Sequence, residues 1–247
     1  MAERVVPAVQ QVGRILLYMA RGSRFKVKLT DMARDLGMHK SRVYYILNTL
    51  KEFGLVEKDE ETKAYSLGPA LIFMGEKVLE NLDYRNKAEP FLKELALKTS
   101  CTAFLGRIID RKVYVVAKEH ADEGVKITIP LGYRFPLSYG ALGKVMLAFG
   151  PPEEREELLK DESLGRWARQ GRLESRLSLL RRMGFAEDIR EMDPRFSSVA
   201  APVLDRKGRV VALVFVVGTF DRDIAKDYGK KVAETAGELS RVIGAAL

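Results

Sequence analysis

The sequence predicts two domains: a small N-terminal domain of three helices and a β-hairpin, and a larger α+β domain with an antiparallel sheet. The chain has 247 residues, 47% of them hydrophobic, which is enough for two separate cores. Apolar residues recur at helical spacing up to residue 52, and from residue 102 strand-length apolar runs come in pairs with turn residues between them. We therefore expect the N-terminal domain at residues 1–68, a linker helix at 69–83 and the second domain at 84–247.

The first helix is expected over residues 8–21. Its apolar residues recur every three or four positions and define a broad face: Val9, Val12, Leu16 and Met19, with Ile15 beside them. This helix would close one side of the N-terminal core.

Residues 29–55 have the periodicity of two short helices joined by a turn. We expect Thr30 to cap the first helix and Gly37 to end it, because glycine tolerates the left-handed backbone that reverses the chain. The second helix has apolar residues at i, i+3, i+4 and i+7: Val43, Ile46, Leu47 and Leu50. Two amphipathic helices with a glycine between them occur in many folds, so this pattern alone leaves DNA binding open.

The opposite face of the second helix carries side chains that suit a DNA groove. At about 100° per residue Ser41, Tyr45 and Asn48 point away from the apolar stripe, and Lys40, Arg42 and Tyr44 flank them. Asparagine can pair with adenine, arginine with guanine or phosphate, and hydroxyl groups with phosphate oxygens.

Positive charge accumulates around this helix. The whole chain has a net charge of +8, and residues 1–56 carry ten basic against four acidic residues, a net charge of +6. Arg24, Lys26 and Lys28 precede the two helices and are expected to contact phosphates, which holds register without reading sequence. The alternative is that these charges only solubilise a surface.

A β-hairpin is predicted directly after the second helix. Residues 55–58 and 64–67 are the expected strands, and the polar loop between them would form a wing. Asp59, Glu60 and Glu61 would repel phosphate at its tip, which leaves Lys58 and Lys63 as its expected contacts. Helix-turn-helix plus hairpin is the winged helix arrangement typical of DNA-binding proteins.

At this point the chain resembles the IclR family of bacterial transcriptional regulators. The resembling motifs run nearly the length of the chain: Val-Pro-Ala-Val-Gln at 6–10, Leu-Gly at 36–37, Lys-Ser at 40–41, Leu-Asn-Thr-Leu at 47–50, Gly-Leu-Val-Glu at 54–57, Tyr-Ser-Leu-Gly at 65–68, Phe-Pro-Leu at 135–137, Gly-Lys at 143–144, Leu-Ala at 147–148, Met-Gly-Phe-Ala at 183–186 and Ala-Ala-Pro-Val at 200–203. Tyr45 stands where related proteins often have arginine, and Arg42 replaces a small hydroxyl residue. The base preference of relatives therefore does not transfer.

The linker helix and the second domain follow from periodicity. Pro69 suits a first helical position, and the apolar stripe from Leu71 to Leu82 favours a partner helix and hence a dimer, although it could equally pack on its own domain. Helices are expected near 87–98, 139–149, 152–160 and 224–247, and strands at 102–109, 113–118, 126–129, 197–204 and 210–217. The resemblance implies a fold of the GAF type for this domain.

No catalytic residue, metal site or cofactor is predicted, so the expected protein is not an enzyme. Only two histidines and one cysteine occur, and Cys101 with His120 is more often packing than a nucleophile and base. The acidic pairs Glu187 with Asp188 and Glu191 with Asp193 are expected in a solvated loop. No apolar run approaches 18 residues and no signal peptide is visible at the N-terminus, so we expect a cytoplasmic protein with no membrane partner.

The resemblance implies a small-molecule pocket between the sheet and residues 125–145. The N-H groups after Ser138 could bind an effector carboxylate, or Ser138 could simply cap the helix. The family's binding positions fall near Ala141, Leu142 and Ser198, and apolar Phe215 and Val217 replace the serines common on the last strand. Further apolar lining is expected from Ile127, Ile129, Tyr133, Phe135 and Tyr139, although each could be ordinary core.

An apolar pocket favours an aromatic or otherwise hydrophobic organic acid over a two- or three-carbon acid. The expected function is a sequence-specific regulator whose operator affinity depends on such an effector. A dimer or dimer of dimers would read a partly palindromic operator. The alternative is a ligand-independent DNA-binding or architectural protein with a C-terminal oligomerisation domain.

Overall fold

The computed structural model describes residues 5–21, 25–80, 83–122, 126–169 and 172–244. The chain divides into two compact units, residues 1–82 and residues 83–247. Within the described ranges no helix combines the length and apolar character needed to cross a membrane.

The first unit contains four helices and a small antiparallel sheet. Its elements are α1 (Pro7–Arg21), β1 (Val27–Lys28), α2 (Leu29–Leu36), α3 (Lys40–Glu52), β2 (Val56–Lys58), β3 (Ala64–Leu67) and α4 (Ala70–Glu80). The sheet order is β1-β3-β2, so the predicted wing hairpin is present and the sequence missed only its third strand. Ile15, Met32, Val43 and Leu47 are fully buried at the centre of this unit.

The turn between α2 and α3 forms as predicted, but two details of the helices differ. Gly37 ends α2 with a φ of 63°, and the N-H of Met38 donates to the carbonyl of Ala33. The assignment of Thr30 as the helix cap is wrong, because β1 leads directly into α2 and the helix starts one residue earlier. Val9 is also misplaced: it is 66% exposed, and Ile15 occupies the core instead.

The second unit is built on a six-stranded antiparallel sheet of order β6-β5-β4-β9-β8-β7. Its elements are α5 (Asp83–Thr99), β4 (Thr102–Ile109), β5 (Lys112–Glu119), β6 (Arg134–Pro136), α6 (Gly140–Phe149), a 3-10 turn (Pro152–Glu154), α7 (Arg155–Leu158), α8 (Glu162–Arg169), α9 (Leu173–Met183), β7 (Ala186–Ile189), β8 (Ser197–Leu204), β9 (Val210–Gly218) and α10 (Arg222–Ile243). Helix α10 contacts α5 and β8, while α6 packs on β7 and β8 with α9 beside it.

Both long hairpins of this sheet were predicted, and several other elements were not. Residues 126–129 form no strand, and the expected helix over 152–160 is a 3-10 turn followed by the single turn of α7. Helices α8 and α9 and strands β6 and β7 were missed. Because β7 pairs with β8, Glu187 and Asp188 lie in a strand and not in the solvated loop that we expected. The last three residues of the expected final helix lie outside the described residues.

Candidate DNA-reading surface and effector cavity

The outer face of α3 presents the side chains that were predicted to read DNA. Lys40, Ser41, Arg42, Tyr44 and Tyr45 are exposed, and Asn48 is half-buried. The rings of Tyr44 and Tyr45 meet edge to face with centroids 5.8 Å apart. Because the apolar stripe of α3 is buried, this polar and aromatic face is the one that α3 offers to a groove.

Arg42 is held toward the first helix. Its Nε donates to Oε1 of Gln11 in α1 at 2.9 Å. A guanidinium has five N-H donors, so this bond orients the side chain and leaves further donors for a base or a phosphate.

Asp59, at the tip of the wing (residues 59–63), is paired with a lysine outside the tip and with backbone N-H groups inside it. Oδ1 of Asp59 accepts the backbone N-H groups of Glu61 and Thr62 at 3.0 and 2.9 Å, and its other oxygen pairs with Lys26. The Lys26 ammonium and these N-H groups hold the pKa of Asp59 well below its usual range. The acidic tip therefore also closes its own turn, a role that the charge pattern did not predict.

Glu60 lies close to two lysines of the wing and to one lysine of α3. Its carboxylate oxygens lie 3.1 Å from Nζ of Lys63, 3.6 Å from Nζ of Lys58 and 3.9 Å from Nζ of Lys51. These lysines, Lys63 foremost, lower the pKa of Glu60. Lys28 is exposed in β1, and Arg24 lies outside the described residues. The predicted phosphate contacts thus differ in how strongly a neighbouring acid already holds them.

A cavity of about 540 Å³ in the second unit gathers most of the residues expected at the effector site. Nine of those eleven line it: Ile127, Ile129, Tyr133, Phe135, Tyr139, Leu142, Ser198, Phe215 and Val217. Ala141 does not, because its side chain is buried in the core, and Ser138 donates to Asp161 at 3.1 Å. The alternative role of Ser138 as the cap of the helix is wrong, since Tyr139 is the residue that precedes α6 and no side chain caps this helix.

One wall of the cavity is aromatic. The ring of Phe135 lies 5.0 Å from that of Tyr139, 4.9 Å from that of Tyr133 and 6.3 Å from that of Phe215, measured between centroids. Phe104 stacks on Phe215 from within the core at 5.0 Å. Tilted and edge-on rings at these distances leave faces and edges that a further aromatic ring can join.

The irregular segment 126–130 forms part of the lining although it is not a strand. Nζ of Lys118 in β5 donates to the carbonyl oxygen of Ile129 at 3.2 Å. This bond holds the segment against the sheet and replaces the strand pairing that the alternating pattern of Lys126 to Ile129 suggested.

The charged lining was missed by sequence reasoning, although Ser198 was predicted. Asp188 is only 3% exposed; its Oδ1 accepts the N-H groups of Glu191 and Met192, and its Oδ2 has no hydrogen-bond partner among the described residues. Burial raises the pKa of this carboxyl group. A Cβ on Gly140 would lie 2.8 Å from Oδ2, so the glycine at the start of α6 allows Asp188 to approach.

An ion pair between Asp193 and Arg195 also lies in the cavity lining. Arg195 donates from Nε and one Nη to the carboxylate of Asp193 at 3.0 and 2.7 Å, and it lowers the pKa of Asp193 to about 2. The only sequence signal for these groups was their place after β7, in the acidic stretch that was assigned to a loop.

Cys101 and His120 do not form a catalytic pair. The thiol of Cys101 is buried, which raises its pKa to about 11, so it stays protonated at neutral pH. Nδ1 of His120 lies 3.1 Å from Oγ1 of Thr102.

Comparison with known proteins gives matches over both units. Residues 8–60 match the model of the IclR helix-turn-helix domain, and residues 76–241 match the model described as bacterial transcriptional regulator IclR C-terminal. The HTH-type transcriptional regulator KdgR of Dickeya chrysanthemi is 30% identical, over 97% of this chain and 80% of that protein. The glycerol operon regulatory protein of Streptomyces griseus is also 30% identical, over 98% of each chain.

Solved structures agree with these matches. An IclR transcriptional regulator from Alicyclobacillus acidocaldarius superposes with a TM-score of 0.78 at 25% identity, covering 96% of this chain and 99% of that one. Pseudomonas aeruginosa HmgR superposes with a TM-score of 0.72 at 28% identity, covering 97% and 100%. The fold and the order of elements are therefore shared along almost the whole chain.

Proposed function

The chain belongs to the IclR family of bacterial transcriptional regulators, and from that premise we propose that an aromatic or similarly hydrophobic organic acid controls its operator affinity by binding in the 540 Å³ cavity. Membership of the family makes the protein a DNA-binding regulator and not an enzyme. The observation that carries the proposal about the effector is the aromatic wall of Phe135, Tyr139 and Phe215.

Size and polarity both favour such an effector. The volume lies within the roughly 300–1,000 Å³ of typical small-molecule sites, and a two- or three-carbon acid would leave most of the apolar wall in contact with water. A ring placed against Phe135 and Phe215 would remove apolar surface from water on both partners, at roughly 25 cal/mol per Å².

Groups that suit a carboxylate line the same cavity. Arg195 keeps N-H donors beyond the two that it gives to Asp193, and Lys126 lies on the opposite segment of the lining. The first turn of α6 also turns unbonded backbone N-H groups toward its N-terminal end, where Tyr139 and Leu142 face the cavity. The unpartnered Oδ2 of Asp188 suits a hydroxyl donor on the ligand.

At the DNA end, α3 is the element proposed to enter the major groove. The apolar residues of α4 are exposed in the single chain, which supports a homodimer or a dimer of dimers. Two copies would place their reading helices about 34 Å apart and select a partly palindromic operator. Because chromosomal DNA is the partner, we place the protein in the cytoplasm.

Calorimetric titration of the full chain tests the choice of effector. We expect benzoate, 4-hydroxybenzoate or phenylacetate to bind in preference to glyoxylate and pyruvate. Replacing the half-buried Phe135 by alanine should raise the dissociation constants of the aromatic acids by roughly tenfold, because a lost ring contact is worth about 1.5 kcal/mol of binding free energy. Preferential binding of the short acids would contradict an apolar site.

A further inference from the structure

A buried lysine lies in the middle of α6, at a position where a charge needs partners. Lys144 is 3% exposed, and its ammonium donates to the carbonyl oxygen of Glu187 and to Oε2 of Glu191, both at 2.7 Å. The ring of Trp167 lies 5.3 Å from the same nitrogen. Burial lowers the pKa of Lys144 while the charge of Glu191 opposes that shift. Burying an ammonium group costs free energy unless the group is paired and hydrogen-bonded. The contacts with Glu187 and Glu191 therefore stabilise Lys144 in its buried position.

Lys144 binds a segment that forms one wall of the effector cavity. Residues 190–196, which we call the strap, connect β7 to β8 and supply Met192, Asp193, Arg195 and Phe196 to the lining. The contact with Lys144 is made by Glu191, which immediately precedes the first of these lining residues. Lys144 itself does not line the 540 Å³ cavity.

The strap has three further anchors, so its attachment to the fold does not depend on Lys144 alone. At its start, Arg190 has a φ of 56° and pairs with Asp221 at 3.0 Å. Just beyond its end, the hydroxyl of Ser197 donates to the carbonyl of Phe220 at 2.7 Å. In its middle, Oδ1 of Asp188 also accepts the backbone N-H groups of Glu191 and Met192. Losing the Lys144 contact would therefore release the side chain of Glu191 and loosen the middle of the strap, while these other contacts keep it attached to the fold.

We propose that Lys144 is a positioning residue for the effector: by holding Glu191, it fixes the strap where Met192, Asp193 and Arg195 complete the cavity. This inference rests on the proposed binding of an aromatic acid in that cavity. The first turn of α6 also contributes Leu142 to the same lining. Helix α6 therefore forms one wall of the cavity through Leu142 and positions a second wall, the strap, through Lys144. An unfixed strap would have to be ordered by the ligand itself, which weakens binding.

The chain supplies a control lysine with the same kinds of contact at a more exposed position, since the side chain of Lys231 is 30% exposed and that of Lys144 is 4% exposed. Lys231 in α10 also donates to a backbone carbonyl, that of Lys98 at 3.0 Å, and also pairs with a carboxylate, that of Asp227 at 2.7 Å. It lies 5.5 Å from the ring of Tyr228, much as Lys144 lies beside Trp167. None of the residues around Lys231 lines the effector cavity.

The test compares Lys144→Met with Lys231→Met in the full chain. With benzoate, 4-hydroxybenzoate and phenylacetate as probes, we expect Lys144→Met to raise the dissociation constant by about tenfold or more, since hydrogen bonds to charged groups contribute about 1.5–3 kcal/mol. Lys231→Met should change it by no more than about twofold. Hydrogen exchange of residues 190–196, measured without ligand, should accelerate in the first variant alone.

The outcomes separate this inference from the proposed function. If the unmodified chain binds a probe and Lys144→Met binds it equally well, the positioning role is overturned and the effector proposal stands. If the unmodified chain binds none of the probes, the effector proposal fails, and strap exchange still decides whether Lys144 holds the strap. Glu191→Ala, which removes a partly exposed side chain, repeats both measurements should Lys144→Met fold poorly.

Discussion

Arg42 and Lys63 carry the same charge in different surroundings, and this difference sets what each can offer to DNA. Arg42 lies on the outer face of α3 with one donor on Gln11, while Lys63 lies 3.1 Å from Glu60. A phosphate contact by Lys63 must compete with that carboxylate. We expect Arg42→Ala to weaken operator binding by about tenfold or more, and Lys63→Ala by no more than about threefold.

Both variants can be titrated at one fixed salt concentration against a duplex selected from a random pool by the full chain. The comparison is internal, because each variant removes one positive charge from an exposed position of the same unit. Equal losses of affinity would contradict the ranking and would mean that only total charge matters.

Single residues also show how far prediction from sequence reaches. The family resemblance implied a pocket with Phe135, Tyr139 and Phe215 in its lining, and all three line the 540 Å³ cavity, while their role in binding an effector stays a prediction. Asp188 was missed because its strand, Ala186–Ile189, is short and half polar, so no apolar alternation marks it. Its burial follows from the space beside Gly140, a contact between distant parts of the chain that no local pattern encodes.

At the scale of elements, α4 is an apolar helix that buries none of its side chains within the chain. Ile72 and Phe73 are both 66% exposed. If α4 forms the dimer contact, Ile72→Glu places a charge in an apolar interface, and we expect the dimer to dissociate at protein concentrations at least about tenfold higher than before. Sedimentation over a concentration series measures this.

Glu76→Ala on the same helix is the control, since it changes an exposed polar residue and should leave association unchanged. An unaltered dimer in Ile72→Glu would show that the contact between copies lies elsewhere.

Element prediction succeeded where the pattern and the turn agreed. The hairpin of β8 and β9 has apolar runs around Asp205 and Gly208, and Gly208 has the positive φ of 75° that such a turn needs. The stretch of α8 and α9 was missed because arginines and glutamates interrupt its apolar positions, although α8 buries Leu164 and Trp167. Residues 126–129 alternate as a strand would, yet a side-chain bond from Lys118 fixes them instead.

At the scale of the whole molecule, control of DNA binding by an effector is a coupling free energy between two sites. Such couplings are typically about 1–3 kcal/mol, roughly 5- to 150-fold in affinity, and they are reciprocal. We expect a saturating selected duplex to change the dissociation constant of the aromatic acid by the same factor by which the acid changes that of the duplex. Calorimetry with and without the duplex measures it.

The variant Phe135→Ala, which should lose the ligand, provides the control for non-specific effects of the acid on DNA binding. If the acid and the duplex both bind and neither changes the dissociation constant of the other, the result would favour the ligand-independent DNA-binding protein that the sequence also allowed.

The position of Trp167 has a practical consequence. The chain has one tryptophan, and its ring centre lies 3.8 Å from the guanidinium carbon of Arg176 and 5.3 Å from the ammonium nitrogen of Lys144. All tryptophan fluorescence of this protein therefore originates beside Lys144, the residue that binds the strap. We expect a rearrangement of that contact to change the tryptophan emission of the unlabelled protein, so the contact can be followed without an attached dye.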